Sequence, residues 1–222
     1  MDRRLLIFAG LLAPVLIWSL VVPHDYFTWF LEVTPVLVGL PLAFILHRRF
    51  PLSGFLLVLL WLHSVILICG GHYTYARVPV GEWTMQWFGW SRNNYDKLGH
   101  FAQGFVPAIL VREILLRASP LKYRVEQSVG RLPVLDVSGP SRWLDFIVVS
   151  VCLAFSALYE LIECAVAIVS GSGADDFLGT QGYVWDTQTD MAMALIGALA
   201  AVLLVAGIHD HSLQKLAERE TA

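Results

Sequence analysis

Long apolar stretches alternate with short polar segments along the chain. Six stretches share a length close to the ~20 residues that a helix needs to cross a bilayer, and they cover residues 5–22, 29–46, 52–70, 95–116, 143–170 and 185–208. The fourth is the least apolar, because charged and amide side chains occupy its first three turns. Small residues recur in the sixth, as in helices that pack closely. The pattern predicts an all-α, polytopic helical membrane bundle with six transmembrane helices, forming one integral membrane domain over residues 1–222.

The composition supports a membrane protein and excludes other classes. Of the 222 residues, 57% are hydrophobic and 15% are charged, and the mean hydropathy is +0.64, which is too apolar for a typical soluble domain. Cys69, Cys152 and Cys164 are dispersed without CxxC spacing, so neither a disulfide framework nor a thiolate metal site is indicated. No basic stripe suits a nucleic acid, and we expect membrane lipids as partners instead.

The positions of lysine and arginine predict how the chain crosses the membrane, because cytoplasmic loops are enriched in both. Basic residues precede the first apolar stretch, follow the second and the sixth, and recur between the fourth and fifth. The opposite loops contain only Arg77 and Arg92. Both termini are therefore predicted to be cytoplasmic, with residues 118–141 as a cytoplasmic connector. No small-residue cleavage site follows the first stretch, so we interpret it as a retained span.

The fourth stretch begins, on the predicted external side, with an unusual set of polar residues. Asn94 suits the N-cap position of a helix. Spacings of four and then three residues place Asp96, His100 and Gln103 on one helical face, and Lys97 is predicted to point off that face. One wall of a polar site is therefore expected at this end of the helix.

Other stretches bring ionisable side chains to the same depth. Glu160 and Glu163 are three residues apart, and Asp186 and Asp190 are four apart, so each pair shares a helical face. At 1.5 Å per residue, the glutamates and His63 lie roughly 10 to 15 Å below the external ends of their stretches. The cytoplasmic half of these stretches is predicted to be almost free of such groups, which makes the polar site outward-facing.

The chemistry follows from the cost of burying charge. Charged side chains within a membrane normally face a bundle interior or a water-filled cavity, and neighbouring carboxylates repel one another unless cations or protons neutralise them. The residues predicted to carry catalysis are Asp96, Lys97, His100, Glu160, Glu163 and Asp190. The ligands predicted for a divalent metal, which this oxygen-rich set would take as Mg²⁺, Mn²⁺ or Zn²⁺, are His100, Glu160, Glu163, Asp186 and Asp190.

Each of these residues also has a structural interpretation. Asp96 is at a helix start, where the helix dipole favours an acid. Glu160 and Glu163 could form a structural ion pair with Lys97 or a histidine, and Asp186 could cap its helix. His63 is more typical of a hydrogen-bonded core histidine. The aromatic external loop between the third and fourth stretches is interpreted as an interfacial belt rather than a substrate-stacking surface.

Three blocks of sequence, YDKLGHFAQGF, YELIE and GTQGYVWDTQTDM, resemble the YjdF-like bacterial inner-membrane proteins, a family of unknown function. The resemblance covers most of the chain and implies a multi-pass protein of the bacterial inner membrane. The chain is more distantly similar to VanZ-like membrane proteins, whose pattern is matched at Asp96, Lys97, His100, Glu160, Asp186 and Asp190. It departs from that pattern at Glu163, where glutamine is usual, and in having no arginine in the last external loop.

Three functions are compatible with these observations. The first is an integral-membrane enzyme, a metal-assisted or acid/base hydrolase or transferase that acts on a lipid or lipid-linked envelope substrate. The second is a proton-coupled transporter, although no inverted repeat is evident. The third is a structural or partner-binding membrane protein whose polar residues fix helix packing. No nucleophile motif, phosphate loop or HExxH signature is present.

Overall fold

The structure is a computed structural model that describes residues 3–47, 49–119, 142–170, 175–178 and 180–221. The helices within these ranges are α1 (Arg3–Ser19), α2 (Tyr26–Leu46), α3 (Gly54–Tyr73), α4 (Pro79–Phe88), α5 (Tyr95–Ala118), α6 (Arg142–Ser170), α7 (Asp175–Leu178), α8 (Asp186–Ala200) and α9 (Ala206–Thr221). A 3-10 turn, Tyr75–Arg77, precedes α4, and a π-helical segment, Ala201–Val205, joins α8 to α9. No strand occurs within the ranges described, so the all-α prediction is confirmed.

The long helices coincide with the six apolar stretches. Four helical spans are long and apolar enough to cross a membrane: α2, α3, α6 and the continuous helix from Asp186 to Arg219. The first helix has only 17 residues, and α5 carries the polar turns at its start, so six crossings and cytoplasmic termini stay predictions. The last helix continues beyond the predicted end at residue 208. Most of the predicted connector, residues 120–141, lies outside the described residues.

Local sequence explains where several helices begin and end. The Asp25 side chain accepts a hydrogen bond from the Thr28 amide at 2.6 Å and caps α2, and Ser53 caps α3 through the Leu56 amide at 3.3 Å. Pro79 begins α4, where its missing amide hydrogen costs nothing. Gly89 ends α4 with a φ of 66°, a left-handed conformation that glycine adopts readily.

The start of α5 differs from the prediction. Asn94 is at the N-cap position, but its side chain makes no capping hydrogen bond. The preceding residue caps the helix instead: Asn93 Oδ1 accepts a hydrogen bond from the Tyr95 amide at 3.0 Å. Both asparagines suit the N-cap position. The Asn93 side chain is held in place because its Nδ2 donates to the Val78 carbonyl while its Oδ1 accepts from the Tyr95 amide.

The pair formed by α5 and α8 has the most extensive contacts in the bundle. A Cβ atom on Gly104 would lie 1.8 Å from the Ala194 carbonyl oxygen, and one on Gly197 would lie 2.1 Å from the Phe101 carbonyl oxygen. Ala198, one residue beyond Gly197, is fully buried. The two backbones therefore touch, as the small residues of the sixth stretch predicted.

Apolar side chains complete the bundle on both sides of this pair. The main core cluster includes Ile109 of α5, Val148 of α6 and Ala198 of α8. A second cluster joins α1, α2 and α3 through Leu12, Val33 and Ile68. The two clusters hold α2, α5, α6 and α8 in fixed relation, and these are the helices that carry the polar site.

The predicted cytoplasmic half of the bundle contains a buried polar cluster, so the prediction that it is almost free of ionisable groups is wrong. Arg112, Glu113 and His209 are fully buried. His209 Nε2 lies 3.0 Å from Glu113 Oε2, and Arg112 Nη1 lies 2.9 Å from His209 Nδ1. Arg117 and the Ser53 amide donate to Glu113 Oε1 at 2.8 and 2.9 Å. The cluster ties α5 to α9 and to the start of α3.

The direction of the hydrogen bonds in this cluster follows from its donors. An arginine can only donate, so His209 Nδ1 accepts from Arg112 and the Nε2 hydrogen is donated to Glu113. The sequence indicated this cluster only through an arginine and a glutamate side by side near the end of an apolar stretch, which resembles an ordinary cytoplasmic flank.

Candidate functional site

Four ionisable side chains meet where α5 and α8 begin, on the predicted external side. Lys97 Nζ lies 3.2 Å from Asp96 Oδ2, 2.8 Å from Asp186 Oδ1 and 2.6 Å from Asp190 Oδ1. Asp186 and Asp190 are buried. The ammonium group therefore holds three carboxylates together. The prediction that Lys97 points off the polar face is wrong, because its long side chain crosses the narrow gap to α8.

Arg92 is a second cation in this cluster. Its Nη1 donates to Asp186 Oδ1 at 2.7 Å, and its Nη2 lies 3.8 Å from Asp96 Oδ2. The guanidinium carbon also lies 5.2 Å from the centre of the Tyr183 ring, within the range of a cation–π contact. In the sequence Arg92 resembles an ordinary loop charge, and its position four residues before Asp96 is the signal of this contact.

His100 lies between carboxylates from three helices. Its Nε2 is 3.2 Å from Asp96 Oδ1 and 3.7 Å from Asp190 Oδ1. On the other side of the ring, Nδ1 is 3.8 Å from Glu160 Oε1. Nδ1 and Glu160 Oε1 are both buried and have no hydrogen-bond partner among the described residues. The histidine and Glu160 therefore face each other at close range without a direct hydrogen bond.

Glu163 contributes its charge from one turn further along α6. It is half-buried and interacts electrostatically with Glu160 and with His100. The predicted pairing of the two glutamates on one face of the helix is thus compatible with the structure. Glu160 is the more deeply buried of the two, with 6% of its surface exposed.

Glu32 of α2 extends the cluster and was missed by the sequence analysis. It is buried, and the Tyr159 hydroxyl donates to its Oε2 at 3.3 Å. Tyr75 forms a second hydrogen bond with it, and Asp96 and His100 interact with it electrostatically. The signal was a single acid within an otherwise apolar stretch, which is costly in a membrane and marks a functional candidate.

Two glycines make room for the Tyr75 ring. A Cβ atom on Gly70 would lie 2.5 Å from the ring, and one on Gly99 would lie 2.7 Å from it. The ring is therefore held between α3 and α5, directly after the end of α3. Burial raises the pKa of the Tyr75 hydroxyl, and the Glu32 carboxylate raises it further. The phenol stays protonated and can donate to Glu32.

Asn93 and Gln181 fix the loops around the site. The Asn93 amide donates to Gln181 Oε1 at 3.1 Å, and Gln181 Nε2 donates to the Asn93 carbonyl at 2.8 Å. Asn93 Nδ2 donates to the Val78 carbonyl at 3.0 Å. A Cβ atom on Gly81 would overlap Asn93 Oδ1. The start of α5, the loop before α8 and the start of α4 therefore form one unit.

His63 lies apart from this cluster. It lines an apolar cavity of about 350 Å³ together with Leu60 and Leu67, and its Nε2 is buried without a hydrogen-bond partner among the described residues. The structure therefore does not bring His63 to the site.

The site also offers one group of side chains suited to a metal ion. Asp96, His100 and Asp190 each present a ligand atom, and these atoms lie within 4.8 Å of one another. His100 and Asp190 belong to the predicted ligands, whereas Asp96 was predicted only as a catalytic residue. Lys97 Nζ contacts the same two aspartates, so a metal ion and the ammonium group would compete for their oxygens.

Comparison with known proteins agrees with the predicted class. The family model described as "Predicted membrane protein (DUF2238)" matches residues 4–211. "Inner membrane protein YjdF" of Escherichia coli (strain K12) is 47% identical over 201 residues, which is 90% of this chain and 88% of that protein. No solved structure matches the chain. The predicted location in the bacterial inner membrane is confirmed, and the chain belongs to the DUF2238 family of predicted membrane proteins.

Proposed function

We propose that this protein is an integral-membrane enzyme of the outer face of the inner membrane, which hydrolyses a lipid or lipid-linked substrate or transfers a group from it. The observation that carries the proposal is the setting of His100. Asp96 lies against one ring nitrogen at 3.2 Å, and the other nitrogen is buried, unpartnered and 3.8 Å from Glu160. Buried polar atoms without partners are rare and call for an explanation.

The pairing of His100 with Asp96 suits general base catalysis. When the Nε2 hydrogen is donated to Asp96, the ring is oriented and its Nδ1 lone pair is free. Nδ1 can then take a proton from water or from an acceptor hydroxyl, whose oxygen attacks a carbonyl or phosphoryl group. The same proton passes to the leaving group. Lys97 and Arg92 would stabilise the negative charge that develops in this step.

Loss of turnover in His100→Gln is the central test of this mechanism. We expect the wild-type protein, reconstituted in vesicles of total bacterial lipid, to yield a new lipid product detectable by mass spectrometry. His100→Gln and Asp96→Asn should each reduce its rate by about 100-fold or more, the usual contribution of general base catalysis. His211→Gln, which changes an exposed histidine of α9, is the matched control and should keep the wild-type rate.

Two outcomes would contradict the enzyme proposal. One is a lipid composition that never differs between vesicles with and without the protein. The other is full turnover in a folded His100→Gln variant. If every variant folds and leaves the cellular phenotype unchanged, the structural role becomes the better explanation.

A metal-assisted version of the mechanism uses Asp96, His100 and Asp190. A divalent ion held there would supply Lewis acid chemistry to the substrate. In that version the purified protein retains about one divalent ion per chain, and Asp190→Asn loses it. Glu82→Gln, an exposed acid of α4 on the same side, should retain it. Elemental analysis decides the matter, since equal metal content in both variants would contradict a metal at this site.

The proton-coupled carrier is the second candidate. The buried cluster of Arg112, Glu113 and His209 supplies a second polar group on the predicted cytoplasmic side, as a carrier needs. The contact of α5 with α8 at Gly104 and Gly197 separates the two clusters, however, and this packing supports the enzyme. Proton uptake into proteoliposomes that disappears in Glu163→Gln would support the carrier instead.

A further inference from the structure

A cavity of about 340 Å³ opens beside Lys97, between the starts of α5 and α8. Arg92 and Lys97 line one part of it, together with Thr189. Ala192 and Met193 line another part. Because α8 runs into the bundle from its start, these two residues lie about one turn, roughly 5 Å, deeper than Thr189. The cavity is therefore polar near the membrane surface and apolar below it.

The charged groups that line the cavity are cations. Arg92 and Lys97 line it, and no carboxylate does so among the described residues. The carboxylates that they contact do not line the cavity, and Asp186 Oδ1 is shared by both cations at 2.7 and 2.8 Å. An anion that enters the cavity thus meets positive charge first.

Arg92 retains unused hydrogen-bond donors. Its Nε and Nη2 are buried and have no hydrogen-bond acceptor among the described residues, and the contact of Nη2 with Asp96 Oδ2 is a longer ion pair of 3.8 Å. The Tyr183 ring lies against the guanidinium group. Adjacent donors on one guanidinium group match two oxygens of a phosphate. Tyr183 is exposed and lines the cavity beside Arg92.

The apolar part of the cavity continues toward lipid. Ala192 is exposed, and Ile196, one turn deeper on α8, has 52% of its surface exposed. In a bundle within a membrane, such exposed apolar side chains contact acyl chains. The order of cations, hydroxyl and then apolar surface matches the order of groups along a phospholipid of the outer leaflet.

We propose that this cavity binds the phosphate group of an outer-leaflet phospholipid. Arg92 donates to the phosphate through its remaining hydrogens, and Lys97, whose hydrogens face the aspartates, adds positive charge beside it. Ala192 and Met193 contact the first part of an acyl chain. This proposal names a substrate class for the same site, so it rests on the proposed function. The link between cavity and site is Lys97, which also contacts Asp190, and Asp190 lies 3.7 Å from His100. The phosphate is thereby held next to the histidine.

Lipid binding can be measured without turnover. The full chain, purified in detergent, is titrated with phosphatidylglycerol, with diacylglycerol and with inorganic phosphate, and the bound species are counted by native mass spectrometry. We expect phosphatidylglycerol to bind at least about tenfold more tightly than diacylglycerol, which corresponds to about one charged contact. Competition by inorganic phosphate as strong as that by the lipid would assign the cavity to a soluble phosphate and overturn the proposal.

Variants locate the binding to this cavity. Arg92→Gln should weaken phosphatidylglycerol binding about tenfold, and Ala192→Phe should weaken it similarly by filling the apolar part. Arg77→Gln, which changes an exposed arginine on the same side but outside the cavity, is the matched control and should bind as the wild type does. Unchanged binding in both cavity variants would overturn the proposal even if Arg92→Gln is less stable.

The two proposals fail in different ways. His100→Gln removes turnover under the proposed function but should leave phosphatidylglycerol binding unchanged. If the wild type binds phosphatidylglycerol specifically but shows no turnover, the enzyme proposal is contradicted and the proposed binding site is not. If the wild type turns over substrate but both cavity variants bind phosphatidylglycerol as tightly as it does, only the proposed binding site is contradicted.

Discussion

Gly104→Ala is expected to force α5 and α8 apart and to reduce the free energy of unfolding by about 3 kcal/mol, the upper end for overpacking. The reason is geometric, because the new Cβ would lie 1.8 Å from the Ala194 carbonyl oxygen. Backbone cannot move aside as a flexible side chain can. In a protein of this size the change lowers the melting temperature by roughly 10 °C, which thermal unfolding in detergent can measure.

Gly207→Ala is the control for this prediction. A Cβ atom there has nothing within 4 Å, and alanine has a higher helix propensity than glycine. Its melting temperature should equal or exceed that of the wild type. A Gly104→Ala variant as stable as Gly207→Ala would show that the two backbones do not touch in the folded protein.

Lys97→Met is expected to destabilise the protein by about 3 kcal/mol, as removal of one partner from a buried ion pair does. The ammonium group contacts Asp96, Asp186 and Asp190, and methionine replaces its length but not its charge. The carboxylates then repel one another in a site with little water. The change should be visible both in the melting temperature and in the yield of monodisperse protein.

A second substitution tests whether charge is the cause. Lys97→Met combined with Asp190→Asn removes one cation and one anion, so it should recover part of the lost stability. Lys215→Met, which changes an exposed lysine of α9, should behave as the wild type. If the double variant is as unstable as the sum of its single changes, the loss arises from packing and not from charge.

The sequence was sufficient for the fold class and for most of the site. A helix that crosses a membrane needs a long apolar stretch, so the positions of the helices could be identified from the sequence without knowing how they pack. The i, i+4 spacing of Asp96 with His100 and of Asp186 with Asp190 predicted shared faces, and both faces contribute to the cluster. Depth along the helices followed from a fixed rise per residue.

What the sequence could not provide was the distance between helices. The close approach of α5 to α8 allows Lys97 to reach across, and that approach depends on Gly104 and Gly197 together. Glu32 was missed because a single acid gives no periodicity. The cluster around Glu113 was missed because each of its members resembles an ordinary flanking charge when its partners on other helices are unknown.

The shared Lys97 ammonium has a consequence for the biogenesis of the protein. During synthesis α5 reaches the membrane before α8 exists, so Asp96 and Lys97 at first lack the aspartates of α8. The start of α5 is then too polar to remain stably in lipid by itself. Insertion of α5 is therefore expected to be completed late, when α8 arrives and its aspartates pair with Lys97.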